Sequence, residues 1–278
     1  MASQALEPSD QTALWNGAGG GGWVALQGLL DQLFQPIEDL LVDAISAETS
    51  GYALDIGCGT GSTTVAVARR TGAPATGVDI SEPMIAAARA RAERAGIPAS
   101  FLVADAQSHR FEAAGFDAIQ SRFGVMFFAD SVAAFTNLRR AAKAGAPLRA
   151  VVWRSAAENP FMTTAEHAAA PLLPELPVRQ PNEPGQFGFA DPDRVSGILA
   201  ASGWSKIALR PLDVACKMPA DALVPYVTNL GPVGRFLQHG DDQLRARVVT
   251  AVRPAFEPYV HGAEVRFTAA CWLVSASA

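Results

Sequence analysis

Residues Ala53–Gly61 carry the pattern most able to bind a ligand. They read A-L-D-I-G-C-G-T-G, so that a short apolar run reaches Asp55 and glycines then alternate at Gly57, Gly59 and Gly61. Glycine lets a backbone turn tightly, and it lets a ligand approach main-chain groups where a side chain would collide. The pattern therefore predicts a ligand-binding loop between a strand and a helix.

The spacing of these glycines distinguishes two ligand classes. A dinucleotide-binding loop reads G-x-G-x-x-G and places a pyrophosphate at the N-terminus of the following helix. Here the third glycine comes one residue early, and Ser62 stands where the dinucleotide pattern has its last glycine. The spacing disfavours an NAD-dependent oxidoreductase, which stays an alternative.

Two further carboxylates follow at the ends of successive predicted strands. Asp79 lies in G-V-D-I-S, 18 residues beyond Gly61, and Asp105 lies in L-V-A-D-A. A carboxylate can accept two hydrogen bonds at once. Open α/β sheets bind ligands at the carboxyl ends of their strands, so we expect both groups near the glycine loop.

The elements that position these residues alternate between strands and helices. Such alternation specifies an α/β fold in which a parallel sheet is covered on both faces. The predicted strands are Tyr52–Ile56, Ala75–Val78, Ser100–Val103, Phe116–Gln120 and Pro147–Trp153, and the helices between them are Ser62–Arg70, Glu82–Ala95 and Ser131–Ala144.

A helical segment precedes this alternation, and two excursions follow it beside one end of the sheet, which is the arrangement expected of a substrate cap. Leu26–Ile45 has helical spacing interrupted at Pro36, which indicates a helix pair or a kinked helix. Glu158–Phe189 is rich in proline, and we expect it to lie over the surface rather than in the core. Asp221–His261 is helical in character. The remaining predicted elements are a helix at Asp191–Ser202 and strands at Ile207–Leu212 and Glu264–Ser275.

The chain resembles the class I S-adenosylmethionine-dependent methyltransferases over nearly its whole length. Ala53–Gly61 is similar to motif I of that family, L-D-x-G-x-G-x-G, and the two later aspartates follow in register. The resemblance implies a Rossmann-like, seven-stranded sheet with the last strand antiparallel, and S-adenosylmethionine as cofactor. It also implies transfer of the methyl group to O, N or C of a small, largely apolar acceptor. A non-catalytic or non-methylating S-adenosylmethionine-binding protein of the same fold stays an alternative.

The resemblance further implies roles for individual residues. Asp79 would accept hydrogen bonds from both ribose hydroxyls and Asp105 from the adenine amine, while Ile80 and Met84 would flank the adenine ring. The residues expected to bind the cofactor are Asp55, Gly57, Cys58, Gly59, Asp79, Ile80, Met84, Asp105, Ala106, Ser121, Phe123, Trp15 and Trp23.

Residues Leu14–Val24, L-W-N-G-A-G-G-G-G-W-V, resemble the N-terminal segment of a bacterial small-molecule subgroup similar to the ubiquinone/menaquinone C-methyltransferase-like enzymes. In that subgroup the segment folds over cofactor and substrate, so Trp15, Asn16 and Trp23 are expected to form a lid. A flexible linker is the alternative, but linkers rarely leave two tryptophans in water.

One domain is expected, with an N-terminal lid and helices (1–50), a cofactor-binding core (51–155), a cap insertion (156–190), a core continuation (191–220), a second cap insertion (221–262) and a final strand (263–278).

Apolar residues indicate the acceptor side of the site. Phe123, Met126, Phe127 and Phe128 follow the fourth strand and predict an aromatic lip, although the last three also fit a core role. The apolar residues expected in the cap are Phe161, Met162, Phe187, Phe189, Tyr226 and Phe236, while Arg122 and Arg235 leave room for an anionic group on the substrate.

Methyl transfer depends mainly on aligning the acceptor and removing water, and some acceptors also use a general base. Histidine is the usual base near neutral pH. His239 and His167 lie in the two excursions and are the candidate catalytic bases, although a solvated or structural role also fits each of them. Acidic residues are dispersed and no His/Cys pair has ligand spacing, so we expect no metal.

The composition of the chain restricts the classes of partner that it is expected to bind. The chain has 278 residues, 49% of them hydrophobic, and 22 Lys+Arg against 27 Asp+Glu give a net charge of −5. This acidic balance disfavours nucleic-acid binding. Three scattered cysteines and the lack of a secretory signal favour the cytoplasm. The glycines within Gln11–Leu30 argue against a membrane span. We expect a small-molecule partner and no membrane, and a homodimer stays open.

Overall fold

The computed structural model describes residues 8–278, with side chains from residue 11 onward. The first seven residues belong to the predicted N-terminal lid and lie outside the described part of the chain.

In residues 8–278, eight strands form one sheet, and seven of them follow the order β3-β2-β1-β4-β5-β8-β6. The strands are β1 (Ala53–Ile56), β2 (Ala75–Asp79), β3 (Ala99–Val103), β4 (Ala118–Arg122), β5 (Pro147–Trp153), β6 (Ser205–Pro219) and β8 (Glu264–Ser277). The pairs from β3 to β5 are parallel, and β8 is antiparallel to both β5 and β6. This confirms the α/β prediction with an antiparallel last strand. A two-residue strand, β7 (Val260–His261), also pairs with β8 and was not predicted.

The strand β6 is much longer than the predicted Ile207–Leu212. Val214, Cys216 and Met218 continue the alternation of buried and exposed residues beyond that range, and β8 pairs with β6 as far as Pro219. Alternating burial keeps one face of a strand on the core, which explains the extension.

The helices surround this sheet. They are α1 (Pro8–Asn16), α2 (Ala18–Ala25), α3 (Gln27–Ser46), α4 (Ser62–Thr71), α5 (Glu82–Ala95), α6 (Ser131–Ala141), α7 (Pro160–Ala169), α8 (Pro192–Ala201), α9 (Leu223–Asn229), α10 (Gly231–Leu237) and α11 (Asp242–Val252). The bounds of α5 agree with the prediction, and Ser81 Oγ accepts from Met84 N at its start. Among the described helices, none combines the length and apolarity needed to cross a membrane.

The helix α3 runs unbroken through Pro36. Leu33, Ile37, Leu41 and Ile45 are fully buried, whereas Pro36 lies on the exposed side. Proline removes one backbone hydrogen bond, but packing of the buried face on both sides of it keeps one helix. Of the two predicted alternatives, the helix pair is therefore wrong.

The glycine-rich segment after Trp15 is helical, although glycine is a poor helix former. A Cβ at Gly20 would lie 2.8 Å from Ser81 Oγ, and one at Gly22 would lie 2.3 Å from the carbonyl oxygen of Asn229. The missing side chains therefore let α2 approach the start of α5 and the end of α9 at backbone distance. This close packing explains why the segment is ordered despite its composition.

The proline-rich excursion is anchored in the core, so the prediction of a purely surface path is wrong. Phe161 and Phe189 are each 2% exposed. The Phe161 ring stacks on Phe267 of β8 with centroids 3.9 Å apart, and Phe189 stacks on Phe135 of α6. Burial of these aromatic rings fixes a segment that contains many helix-breaking prolines.

Candidate functional site

The loop between β1 and α4 is built by glycines that other residues could not replace without strain. Gly57, Gly59 and Gly61 have left-handed backbone angles, with φ of 62°, 54° and 80°. A Cβ at Gly57 would lie 2.5 Å from the Cα of Gly124, which follows β4. Glycine adopts positive φ without steric cost, so the loop presents its backbone where side chains would collide.

Two carboxylates are held beside this loop. Asp79 ends β2, and its two oxygens accept from the backbone N–H groups of Gly59, at 2.8 Å, and Ser81, at 2.9 Å. Asp105 follows β3 and accepts from the backbone of Gln107 at 2.8 Å. Burial raises the pKa of Asp79, and the two N–H bonds oppose this rise. Each bond uses only part of an oxygen's acceptor capacity, so both carboxylates can accept more.

These groups line a cavity of about 140 Å³, which we call the loop cavity. Its wall includes the glycine loop, Asp79, Asp105 and the apolar side chains of Ile80 and Met84. Every residue predicted to bind the cofactor lines this cavity except Ser121. The topology explains this convergence because β1, β2 and β3 are adjacent and parallel, so their carboxyl ends open on the same side.

A second cavity, the aromatic chamber, has a volume of about 330 Å³. Rings dominate its wall; they belong to Trp15, Trp23, Phe34, Phe123, Phe127, Trp153, Phe161, Phe187, Tyr226 and Phe256. Of the predicted cap residues, Phe161, Met162, Phe187 and Tyr226 line it, while Phe189 packs in the core. Phe236 is not among the described residues that line the chamber. The chamber therefore fits a largely apolar or aromatic molecule.

The two cavities adjoin. Trp15, Trp23, Phe123 and Phe127, together with Gln11, line both of them. Phe123 stacks on Trp153 with centroids 4.7 Å apart, and the Trp15 ring meets the edge of Phe127 at 5.2 Å. A molecule in the loop cavity and one in the aromatic chamber would therefore face each other across these rings.

Known proteins are similar to this chain in sequence and in fold. A family model described as a methyltransferase domain matches residues 53–145. The demethylmenaquinone methyltransferase of Thermus thermophilus is 30% identical over 55% of this chain and 73% of that protein. The chain belongs to the class I S-adenosylmethionine-dependent methyltransferases.

Other proteins are also similar to this chain, in sequence or in fold. The nocamycin O-methyltransferase of Saccharothrix syringae is 26% identical over 72% of this chain and 76% of that protein. The solved structure of phosphoethanolamine N-methyltransferase 2 from Haemonchus contortus shares the fold, with a TM-score of 0.60, 15% identity, and coverage of 100% of this chain and 61% of that one. The chain spans about 60% of the length of uncharacterized mycobacterial relatives that it matches at 27% identity.

Ser121 supports the methyltransferase loop from below instead of lining the cavity. It is fully buried, donates its hydroxyl to the carbonyl of Ile56 at 2.8 Å, and accepts from the backbone of Gly124 at 3.1 Å and Val125 at 3.2 Å. These contacts use the donor and both acceptor positions of the hydroxyl, and the predicted contact of Ser121 with the cofactor stays a prediction.

Asp55 lies in β1 just before the glycine loop, and the pKa of its buried carboxyl group is raised. Burial raises its pKa to about 7, opposed by the hydrogen bond from Thr64 Oγ1 and by the charge of Arg122. Its Oδ1 atom and the Oε1 atom of Gln120, its register partner on β4, are buried without a partner among the described residues. A buried carboxylate oxygen without a donor disfavours the ionised form, which agrees with the raised pKa.

A buried polar group joins α3 to the loop cavity and was not predicted. Ser62 Oγ donates to Glu38, and Arg122 contacts both Glu38 Oε2 at 3.5 Å and Ser62 Oγ at 3.1 Å. Arg122 lines the loop cavity. The sequence does carry a signal for this group, since Glu38 lies at helical spacing between Phe34 and Leu41 on the buried face of α3.

The N-terminal helices contribute Trp15 and Trp23 to the wall of the loop cavity. Asn16 Nδ2 donates to the carbonyl of Ile80 at 2.9 Å, and Asn16 Oδ1 accepts from the backbone of Glu82 at 2.9 Å. Ser81 Oγ donates to the carbonyl of Trp15 at 2.6 Å. These bonds attach the predicted lid to the segment that directly follows Asp79 at the end of β2.

The two candidate histidines lie away from both cavities. His167 on α7 and His239 after α10 are exposed, and within the described residues neither lines the loop cavity or the aromatic chamber. On α7, the neighbouring Ala165 and Glu166 face the chamber instead. Proline and glycine breaks obscure the helix faces in these excursions, so the sequence could not assign the direction of either imidazole.

Proposed function

We propose that the protein transfers the methyl group of S-adenosylmethionine to a small, largely apolar acceptor. The observation that carries this proposal is the shared wall of Trp15, Trp23, Phe123 and Phe127 between the loop cavity and the aromatic chamber. Two relatives are named for methylation of small molecules, demethylmenaquinone and nocamycin, which supports an acceptor of that size.

The loop cavity has the groups needed to hold S-adenosylmethionine. Gly57 and Gly59 provide a cradle without side chains, and Asp79 and Asp105 have acceptor capacity for hydroxyl and amino groups. Met84 and Ile80 provide apolar contacts suited to a flat ring. When bound, the cofactor supplies an electrophilic methyl group on a positively charged sulfur.

The residues of the chain act mainly by positioning. The rings of the shared wall exclude water, and their faces attract a cation placed between the cavities. Trp15 and Trp23 come from the N-terminal helices, so we propose that these helices act as the lid that completes the wall. Alignment of the acceptor against this wall is the contribution that we propose for the chain's own residues.

Isothermal titration calorimetry with S-adenosylhomocysteine tests the proposal. Asp79→Ala should weaken binding by about 2 kcal/mol, or roughly 30-fold, because two charge-assisted hydrogen bonds are lost. Asp79→Asn retains one acceptor oxygen and should fall between this variant and the wild type. Asp242→Ala, at the exposed start of α11, is the matched control and should bind as the wild type does. Equal affinity in all four proteins, or binding of NADH in place of S-adenosylhomocysteine, would refute the assignment.

A further inference from the structure

The wall of the aromatic chamber carries a guanidinium group that the proposed methyl transfer does not use. Arg235 lies on α10, is half-buried, and lines the chamber. Among the described residues, its guanidinium group forms no hydrogen bond or ion pair. Burial lowers its pKa, as does the charge of Arg179, while the charge of Glu166 opposes this shift. A half-buried cation without a hydrogen-bonded partner is costly unless a ligand supplies one.

The other charged groups of the chamber are already engaged. Arg179 forms a two-point ion pair with Glu166, through Nε to Oε2 at 3.0 Å and through a second, shorter contact, and its guanidinium lies over Phe187. Glu183 also lines the chamber and has an interaction of its own. Within residues 11–278, Arg235 is therefore the chamber cation whose N–H donors are still available to a ligand.

Arg235 lies in the part of the chamber that is not shared with the loop cavity. Arg235 lines only the aromatic chamber, whereas Trp15 and Phe123 line both cavities. A group bound by Arg235 would therefore lie away from the boundary between the two cavities, which is where the methyl group would be transferred. Tyr226 on the adjacent helix α9 presents a hydroxyl whose partner is the thioether of Met162 at 3.5 Å, a weak acceptor.

We propose that Arg235 binds an anionic group, a carboxylate in the first instance, on an acceptor whose aromatic body fills the chamber. The inference rests on the proposed function for its identification of the chamber as the acceptor site. The guanidinium fork matches a carboxylate at two points, and the surrounding rings exclude water and strengthen that pairing. The chamber thereby selects an elongated acid, anchored at one end and methylated at the other.

Two fluorescent probes with almost the same ring system test this inference. 8-Anilinonaphthalene-1-sulfonate is an anion, and N-phenyl-1-naphthylamine is its neutral counterpart. Arg235→Met should weaken binding of the anionic probe roughly tenfold or more, as expected for the loss of a charge-assisted contact, and change binding of the neutral probe less than about twofold. Arg235→Lys keeps the charge but not the fork, and should fall between Met and the wild type.

Arg247→Met is the matched control, because Arg247 is exposed on α11 and lies outside the chamber wall. It should leave both probes unaffected. Retained binding of the neutral probe shows that the chamber of each variant is folded. Unchanged affinity of Arg235→Met for the anionic probe, or equal weakening of both probes, would overturn the inference.

Calorimetry with S-adenosylhomocysteine on the same preparations keeps the two proposals apart. The Arg235 variants should bind S-adenosylhomocysteine as the wild type does, since Arg235 does not line the loop cavity. A wild-type protein that fails to bind S-adenosylhomocysteine refutes the proposed function whatever the probes do. Normal binding of S-adenosylhomocysteine combined with no charge preference in the chamber refutes only the role of Arg235.

Discussion

The loop cavity and the aromatic chamber share one wall but are constructed in different ways. The loop cavity takes its polar groups from the ends of β1, β2 and β3, and much of its shape comes from backbone at Gly57 and Gly59. The chamber is assembled from side chains that lie between Gln11 and Phe256 in the chain. A backbone-built site fits one ligand and tolerates little change, whereas a side-chain-built site can change its ligand by single substitutions.

The chamber side depends on packing, so truncating one of its rings should cost stability without affecting the loop cavity. Phe161→Ala removes a buried ring that stacks on Phe267 and should lower the free energy of unfolding by about 3–5 kcal/mol. Urea denaturation measures this loss, and S-adenosylhomocysteine affinity should stay within about twofold of the wild type. Val178→Ala, at a side chain 80% exposed, serves as control and should cost less than about 0.5 kcal/mol. A large loss of cofactor affinity in Phe161→Ala would show that the two cavities are not separable.

A substitution in the glycine loop should weaken cofactor binding as well as stability. In Gly57→Ala the new Cβ meets the backbone of Gly124, and a positive φ strains the residue further. We expect a loss of roughly 3 kcal/mol, measured as weaker binding of S-adenosylhomocysteine together with lower thermal stability. Gly21→Ala is the contrasting substitution, since a Cβ there meets nothing within 4 Å and lies on a helix. It should be neutral or slightly stabilising, because alanine favours helix. Equal effects of the two substitutions would contradict the distinction between the glycine segments.

The proton on Asp55 gives the loop side a pH dependence. The pKa of Asp55 is about 7 in the folded chain, above its ordinary value of 3.8, so the folded state holds a proton that the unfolded state releases. Stability from this group is complete below the ordinary pKa and is lost as the pH rises through about 7. Asp55→Asn should therefore reduce the loss of unfolding free energy between pH 5 and pH 8 by roughly 2–3 kcal/mol.

Asp117 provides the control for this measurement. Its hydrogen bond with Lys143 lowers the pKa of Asp117, so its contribution to stability is present above the ordinary pKa and is lost only as the pH falls below that value. Asp117→Asn should leave the difference between pH 5 and pH 8 unchanged. A wild-type-like pH dependence in Asp55→Asn would mean that Asp55 is ionised throughout this range.

The contrast between the cavities also explains what could be predicted from the sequence. Consecutive strand ends meet at one sheet edge, so the spacing of Gly57, Asp79 and Asp105 along the chain was enough to predict that they lie together. The N-cap at Ser81 and the left-handed Gly96 are local features, and they predicted the bounds of α5.

Tertiary contacts decide the features that could not be predicted. The helix α2 forms where Gly20 approaches the side chain of Ser81 and Gly22 approaches the backbone of Asn229, contacts that have no local signature. Phe161 and Phe189 are buried by strands and helices far from them in the chain, although the prolines around them indicate a surface segment. The pairing of Glu38 with Arg122 joins elements 84 residues apart. Pattern and spacing describe neighbours along the chain, and the chamber is made of neighbours in space.

The smallest effects are expected for the histidines, which test whether the chamber side supplies a base at all. His167 and His239 are exposed, and neither lines a cavity in the described residues, so neither imidazole can reach an acceptor held against Phe123 and Trp15. With labelled S-adenosylmethionine and a panel of hydroxynaphthoates as acceptors, His167→Ala and His239→Ala should each turn over within about twofold of the wild type. A positioned general base contributes on the order of a hundredfold or more, so the outcomes are well separated. A hundredfold loss in either variant would mean that its segment moves to the chamber during turnover, and the chamber would then combine positioning with proton transfer.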